Sequence, residues 1–179
     1  MTTRWKQALM ATTRIDIDIK DREKWDRVRK QLRDMAARAK DVSPAWQALL
    51  TWFGEQNLEQ FLTRGGRYHT TWPPLAASTQ AEKLRQGHPL DPLIRTGDLT
   101  QSLTSRPLGV EHVTPHEMVG GTDIRYAGFH QRGTSRMPRR TLFDPAQIRR
   151  EQAATTAVAN WILKGQARVG GRSVLRGGR

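Results

Sequence analysis

A chain of 179 residues with 36% hydrophobic content and no cysteine is sized for one domain with terminal arms, and disulfide frameworks, thiol catalysis and cysteine-based zinc sites are excluded. A mean hydropathy of -0.69 is low for a self-sufficient globule and fits a subunit completed by neighbours, while no apolar run approaches the roughly 20 residues of a membrane span. The formal charge is +13, and its excess is C-terminal: from Arg125 to Arg179, twelve Lys and Arg residues stand against only Asp144 and Glu151.

The N-terminus has too short an apolar run for a signal peptide, so synthesis in the cytoplasm is expected. Residues 14–19 alternate, with Ile15, Ile17 and Ile19 on one face and Asp16 and Asp18 on the other, the period of a half-buried strand. Asp21 then caps a helix carrying Trp25, Val28, Leu32, Met35 and Ala39 at spacings of three and four, an apolar stripe that calls for a packing partner. Ser43 and Pro44 read as N-cap and first position of a second helix through Trp46, Leu49, Leu50, Phe53, Leu58, Phe61 and Leu62. Gly54 weakens that helix locally, and Gly65-Gly66 ends it. An exposed tryptophan among Trp5, Trp25 and Trp46 would mark a subunit interface.

Beyond a turn-rich stretch, Trp72 precedes Pro73 and is therefore extended. Residues 78–86 form a short helix capped by Ser78, and Thr96 or Asp98 caps another containing Leu99 and Leu103. Two strands, residues 108–113 and 118–122, make an antiparallel hairpin turning at Thr114-Pro115. Residues 126–131 are a brief helix closed by Arg132-Gly133. Asp144-Pro145 opens one last helix, reaching Lys164 through Ile148, Ala154, Val158, Trp161 and Ile162. Residues 165–179 hold five Gly and four Arg, too little apolar surface to order themselves.

Unusual residue pairs concentrate between Trp72 and Arg140. In order they are W-P-P-L (72–75), Thr79 and Lys83, L-I-R-T-G-D-L (93–99), V-G-G-T (119–122), Y-A-G-F-H-Q-R-G (126–133) and M-P-R-R-T-L-F (137–143). Together their order and spacing resemble the phage virion morphogenesis family, also called tail completion proteins, which are components of the neck between bacteriophage head and tail. The resemblance implies an α+β fold, a small antiparallel sheet fed by the N-terminal strand and the central hairpin and packed against two or three amphipathic helices. It divides the chain into a domain over residues 1–164 and a flexible basic arm over 165–179. Within the domain, the N-terminal strand and helices cover 14–63, the motif-bearing centre 72–143 and the last helix 144–164.

What the resemblance implies about function is binding and geometry, with no bond broken and no cofactor or metal. The chain is expected in the virion neck, assembled in the host cytoplasm as a ring of identical subunits, hexameric by the resemblance. Its other partners would be head-completion or adaptor proteins, the tail terminator and the tail tube. Tail termination, an adjacent job, is the alternative within the same junction. Candidate subunit contacts are Trp72, Arg95, Tyr126, Phe129, His130, Arg139, Arg140 and Phe143. Arg168, Arg172, Arg176 and Arg179 are candidates for contact with DNA in the channel or with an adjacent ring.

Chemistry of other kinds finds little footing in the residues. His112, His116 and Glu117 would share a helix face, but Val113 and Pro115 dictate strand and turn, so ordinary hairpin polar residues are expected. No Ser, Asp or Glu stands at a catalytic spacing from His130, which reads as a packing or hydrogen-bonding residue. Gly120-Gly121 lacks any phosphate-loop pattern and reads as a strand end closely approached by another element. Gly97 supplies a turn, leaving Arg95 to pair with a carboxylate, on another subunit as one option. A free nucleic-acid-binding protein is a further alternative, disfavoured because aromatic residues do not interleave with the basic ones.

Overall fold

The computed structural model describes residues 21–150 and 152–169. The expected N-terminal strand at 14–19, Trp5 and the arm from residue 170 onward lie outside the described residues. By internal contacts the chain divides into two units, residues 1–34 and 35–179. Helix α1, Arg22–Lys40, begins in the first, where the Lys24 N–H donates to Asp21 Oδ1 at 3.1 Å, the expected cap. No residue of α1 is buried.

The second unit is α+β and is built around α2, Ser43–Leu62. Pro44 stands in its first turn as expected, but Ser43 is already helical and its side chain makes no cap; Asp41 Oδ1 accepts the Ser43 N–H instead. Ala45, Leu49, Leu50 and Phe61 of α2 are buried, and so are Gln56, Asn57 and Gln60. Gly54 has a positive use here. A Cβ at this position would stand 3.0 Å from the Thr104 carbonyl oxygen, so glycine lets the end of α4, Asp98–Thr104, lie against α2. Asn57 Nδ2 then donates to the Leu103 carbonyl at 3.2 Å, satisfying an orphan acceptor at that helix end.

After α2 the chain doubles back. Gly65 adopts φ +99°, and a Cβ there would collide with the Thr70 carbonyl oxygen at 2.1 Å. This tight return places Trp72 edge-on to Phe61, ring centroids 5.4 Å apart. These two rings, with Leu99, Leu103, Ala127 and Leu142, form the principal core cluster. Helix α3 is Ala77–Arg85, and Ser78 lies inside it rather than capping it. Strands β1, Val110–Val113, and β2, Met118–Gly121, pair antiparallel with Val110 opposite Gly121 and Val113 opposite Met118. Gly120 is pressed onto α2: a Cβ would sit 2.4 Å from Leu50 Cδ2, the close approach expected at this strand end.

Helix α5, Ala127–Arg132, is closed by Gly133 at φ +74°. The single last helix expected from Asp144 to Lys164 is instead two, α6, Pro145–Arg150, and α7, Ala153–Lys164, with Gln152 between them in the left-handed region at φ +50°. Beyond the break, α7 buries Ala153 and Ala157 and packs against α2. Trp161 Nε1 donates to the Asp41 carbonyl at 2.8 Å and Arg38 Nε to the Ile162 carbonyl at 2.9 Å, fastening α7 at its C-terminal end.

Candidate functional site

The segments singled out between Trp72 and Phe143 converge. Their meeting point is the stretch 140–143, which belongs to no helix or strand and is held by side chains from three other segments. The Trp72 indole N–H and Gln60 Nε2 both donate to the Thr141 carbonyl, at 2.9 and 2.7 Å. Gln131 clamps the next residues: its Oε1 accepts the Leu142 N–H at 2.7 Å, and its Nε2 donates to the Phe143 carbonyl at 2.8 Å. The Arg140 N–H donates to the His130 carbonyl at 2.8 Å. The Arg140 guanidinium turns the other way and donates to the carbonyls of Pro73 and Pro74 at 3.0 to 3.1 Å. Proline supplies carbonyls with no N–H of its own, so the Trp-Pro-Pro run offers acceptors free of a competing donor.

One wall away, Lys83 acts in the same manner. Its ammonium donates to the carbonyls of Pro89 and Asp91, both at 2.8 Å, and to that of Ile94. All three protons are used to close the loop between α3 and Leu93. Burial pushes the Lys83 amine below its ordinary range, opposed by the Asp91 charge, and burial likewise lowers Arg140. Both cations are bonded to backbone carbonyls, with only 8% and 5% of their surfaces exposed. Neither signal was visible in the sequence beyond membership of a motif, because the partners are main-chain atoms of other segments.

Between these pins lies a cavity of about 750 Å³. Its apolar lining comes from Leu75, Leu93, Ile94, Leu99 and Met137, and its polar lining from Lys83, Arg95, Asp98, Tyr126, His130, Arg136 and Arg140. Four cations thus face a single carboxylate, and Asp98 is engaged by the Thr96 hydroxyl at 2.6 Å. His130 stacks edge-on against Tyr126 at 6.0 Å, and its Nδ1 is buried with no hydrogen-bond partner among the described residues. Burial, followed by the Arg140 charge, pushes that imidazole below its ordinary pKa of 6.5, favouring the neutral ring. Burial, followed by the Asp98 charge, raises the Tyr126 hydroxyl.

The candidate contact residues therefore separate into four groups. Trp72 and Arg140 are interior, at 5% exposure each, and their bonds are spent holding the chain to itself, so they are not presented to a partner. Phe143 is half-buried edge-on to Phe53 at 6.2 Å. His130 lines the cavity. Tyr126 and Phe129 are exposed at 44% and 52%, Arg139 is exposed, and Arg95 is exposed but reaches Glu82 of its own chain at 3.4 Å. Arg168 is exposed, with its carbonyl accepting from Asn160 Nδ2, while Arg172, Arg176 and Arg179 lie outside the described residues. His112 stands on β1 and His116 in the turn after it; among the described residues no three His, Asp or Glu side chains are grouped to hold a metal.

A second cavity of about 660 Å³ lies under β2 and α5, lined largely by Leu50, Phe53, Ile124, Leu142, Phe143 and Ile148. No described helix is long and apolar enough to cross a membrane. The chain matches no protein-family model, no curated protein and no solved structure.

Proposed function

We propose that the chain is a structural protein of the bacteriophage neck, a ring-forming component that completes the tail or the interface between head and tail. The observation that carries this reading is the convergence of segments far apart in sequence, all but 119–122 of those that resemble the virion morphogenesis family, on one cationic cleft lined in part by exposed Tyr126, with Phe129 exposed on the same helix. Lys83 and Arg140 spend their donors on carbonyls of their own chain, which is the chemistry of a shaped and rigid surface. Arg136 makes no side-chain hydrogen bond or ion pair among the described residues and remains available at the cleft mouth. In this reading, an acidic side chain of the neighbouring subunit enters the cleft. The contact is heterologous, head to tail, and closes into a ring when its rotation permits.

Native mass spectrometry and electron microscopy of the purified protein test the proposal, with Phe129→Asp as the paired variant. A closed cyclic oligomer is expected for the native chain, and the variant should keep its helical circular dichroism while losing the ring, since an exposed aromatic anchor replaced by a charge cannot be desolvated against a neighbour without cost. A protein that stays monomeric at all concentrations and is absent from virions sinks the reading.

A further inference from the structure

The three-and-four spacing of apolar residues in the part of α1 that belongs to the first unit is a heptad seam: Trp25 and Leu32 occupy one repeating position and Val28 the other. Within residues 22–34 that seam is bare, with Trp25 at 42%, Val28 at 39% and Leu32 at 58% exposure. Its charges are sorted. The positions flanking the seam carry Arg22, Lys24, Arg29 and the neutral Gln31, with no acid among them, while Glu23, Asp26 and Asp34 are all on the opposite face, balanced there by Arg27, Lys30 and Arg33, so the uncompensated positive charge borders the seam. Arg29 lies 3.8 Å from Asp26, a loose and exposed pair that leaves it free to turn toward a partner.

We propose that α1 is a docking helix for an amphipathic helix of another protein, one with an apolar heptad seam flanked by Asp or Glu. Charge complementarity selects the occupant. A second copy of α1 is disfavoured in either orientation, because parallel pairing sets Lys24 against Arg29 and antiparallel pairing sets Arg22 and Arg29 against themselves. A membrane surface is disfavoured by the shape of the apolar stripe. A strict two-in-seven seam is narrow, whereas interfacial helices present a broad apolar face. The inference stands independently of the neck reading, since it uses a different surface of the chain.

The experiment uses the full chain and two labelled helical peptides of about four heptads, identical at their Leu seam but carrying either Glu or Lys at the flanking positions. Fluorescence anisotropy is expected to show binding of the Glu peptide, weakened by rising salt, and none of the Lys peptide. Leu32→Asp should weaken the Glu peptide by about tenfold or more. Reversing the flanks with Lys24→Glu and Arg29→Glu together should exchange the preference between the two peptides, which a merely misfolded variant would not do. Equal binding of both peptides, or Glu-peptide binding indifferent to Leu32→Asp, overturns the proposal. So does Leu32-dependent self-association in sedimentation, or Leu32-dependent binding to anionic phosphatidylserine vesicles in place of the peptide. Glu-peptide binding that appears only after residues 1–20 are deleted also overturns it, by making the chain's own Ile15, Ile17 and Ile19 segment the occupant.

Discussion

Gln131 shows how much one side chain inside the Y-A-G-F-H-Q-R-G motif is asked to do. Its amide is matched on both ends, accepting from the Leu142 N–H at 2.7 Å and donating to the Phe143 carbonyl at 2.8 Å, so it replaces the strand that the 140–143 segment lacks. A backbone N–H and C=O in a partly buried setting need such partners. Gln131→Leu keeps the bulk and removes both bonds, and should cost about 2 to 3 kcal/mol, read as a lower urea midpoint with unchanged slope. An unchanged midpoint would mean that solvent reaches that segment and the clamp is dispensable. Lys83 and Arg140 belong to the same scheme. Residue types that normally advertise a surface serve here as internal rivets, which is why Arg140, a candidate subunit contact by its motif, is engaged instead with the carbonyls of Pro73 and Pro74.

Among the elements, the hairpin and α2 illustrate what local pattern does and does not reveal. The strands fell where alternation and the Thr114-Pro115 turn put them, because both signals are local. The reason for the two glycines is not local. Gly120 lies over Leu50, where a Cβ would be 2.4 Å from Cδ2, while nothing stands within 4 Å of a Cβ at Gly121. Gly120→Val should therefore cost about 1 to 3 kcal/mol through overpacking, whereas Gly121→Val should stay within about 0.5 kcal/mol of the native chain, both read by thermal or urea denaturation. Equal effects at the two positions would remove the claim that β2 is held against α2 at that point. The division of the last helix into α6 and α7 escaped the periodic pattern because Ala154, Val158 and Trp161 keep spacings of four and three, although the six residues from Ile148 to Ala154, about 240° of helical turn, do not return to the same face. The left-handed Gln152 has no glycine or proline to announce it.

For the whole molecule, charge is the property with the longest reach. With +13 overall and the excess C-terminal, the chain should bind duplex DNA without sequence preference, in a manner that falls steeply with salt. Deleting residues 170–179 removes Arg172, Arg176 and Arg179. If each meets a phosphate, the slope of log affinity against log salt should fall by about three. A slope unaltered by the deletion would assign the contact to other basic residues of the chain. Arg125, Arg136 and Arg139 are exposed along the centre and are the natural alternatives.

The cap at Asp21, the hairpin and the glycine punctuation at 65 and 133 were legible in the sequence, because period, turn chemistry and backbone freedom are properties of neighbouring residues, while the α+β class was what the resemblance implied. The sequence also brought the motif segments into view without saying what they do for one another. Only the tertiary structure decided which polar groups go inside. In the last turns of α2, Gln56, Asn57 and Gln60 are buried, while Leu58 and Leu62 are 40% and 75% exposed, the reverse of what hydropathy suggests. The inversion has a physical cause. Asn57 and Gln60 reach carbonyls 46 and 81 residues away, and a buried amide is tolerated where such a partner meets it. That pairing exists only once the chain has folded.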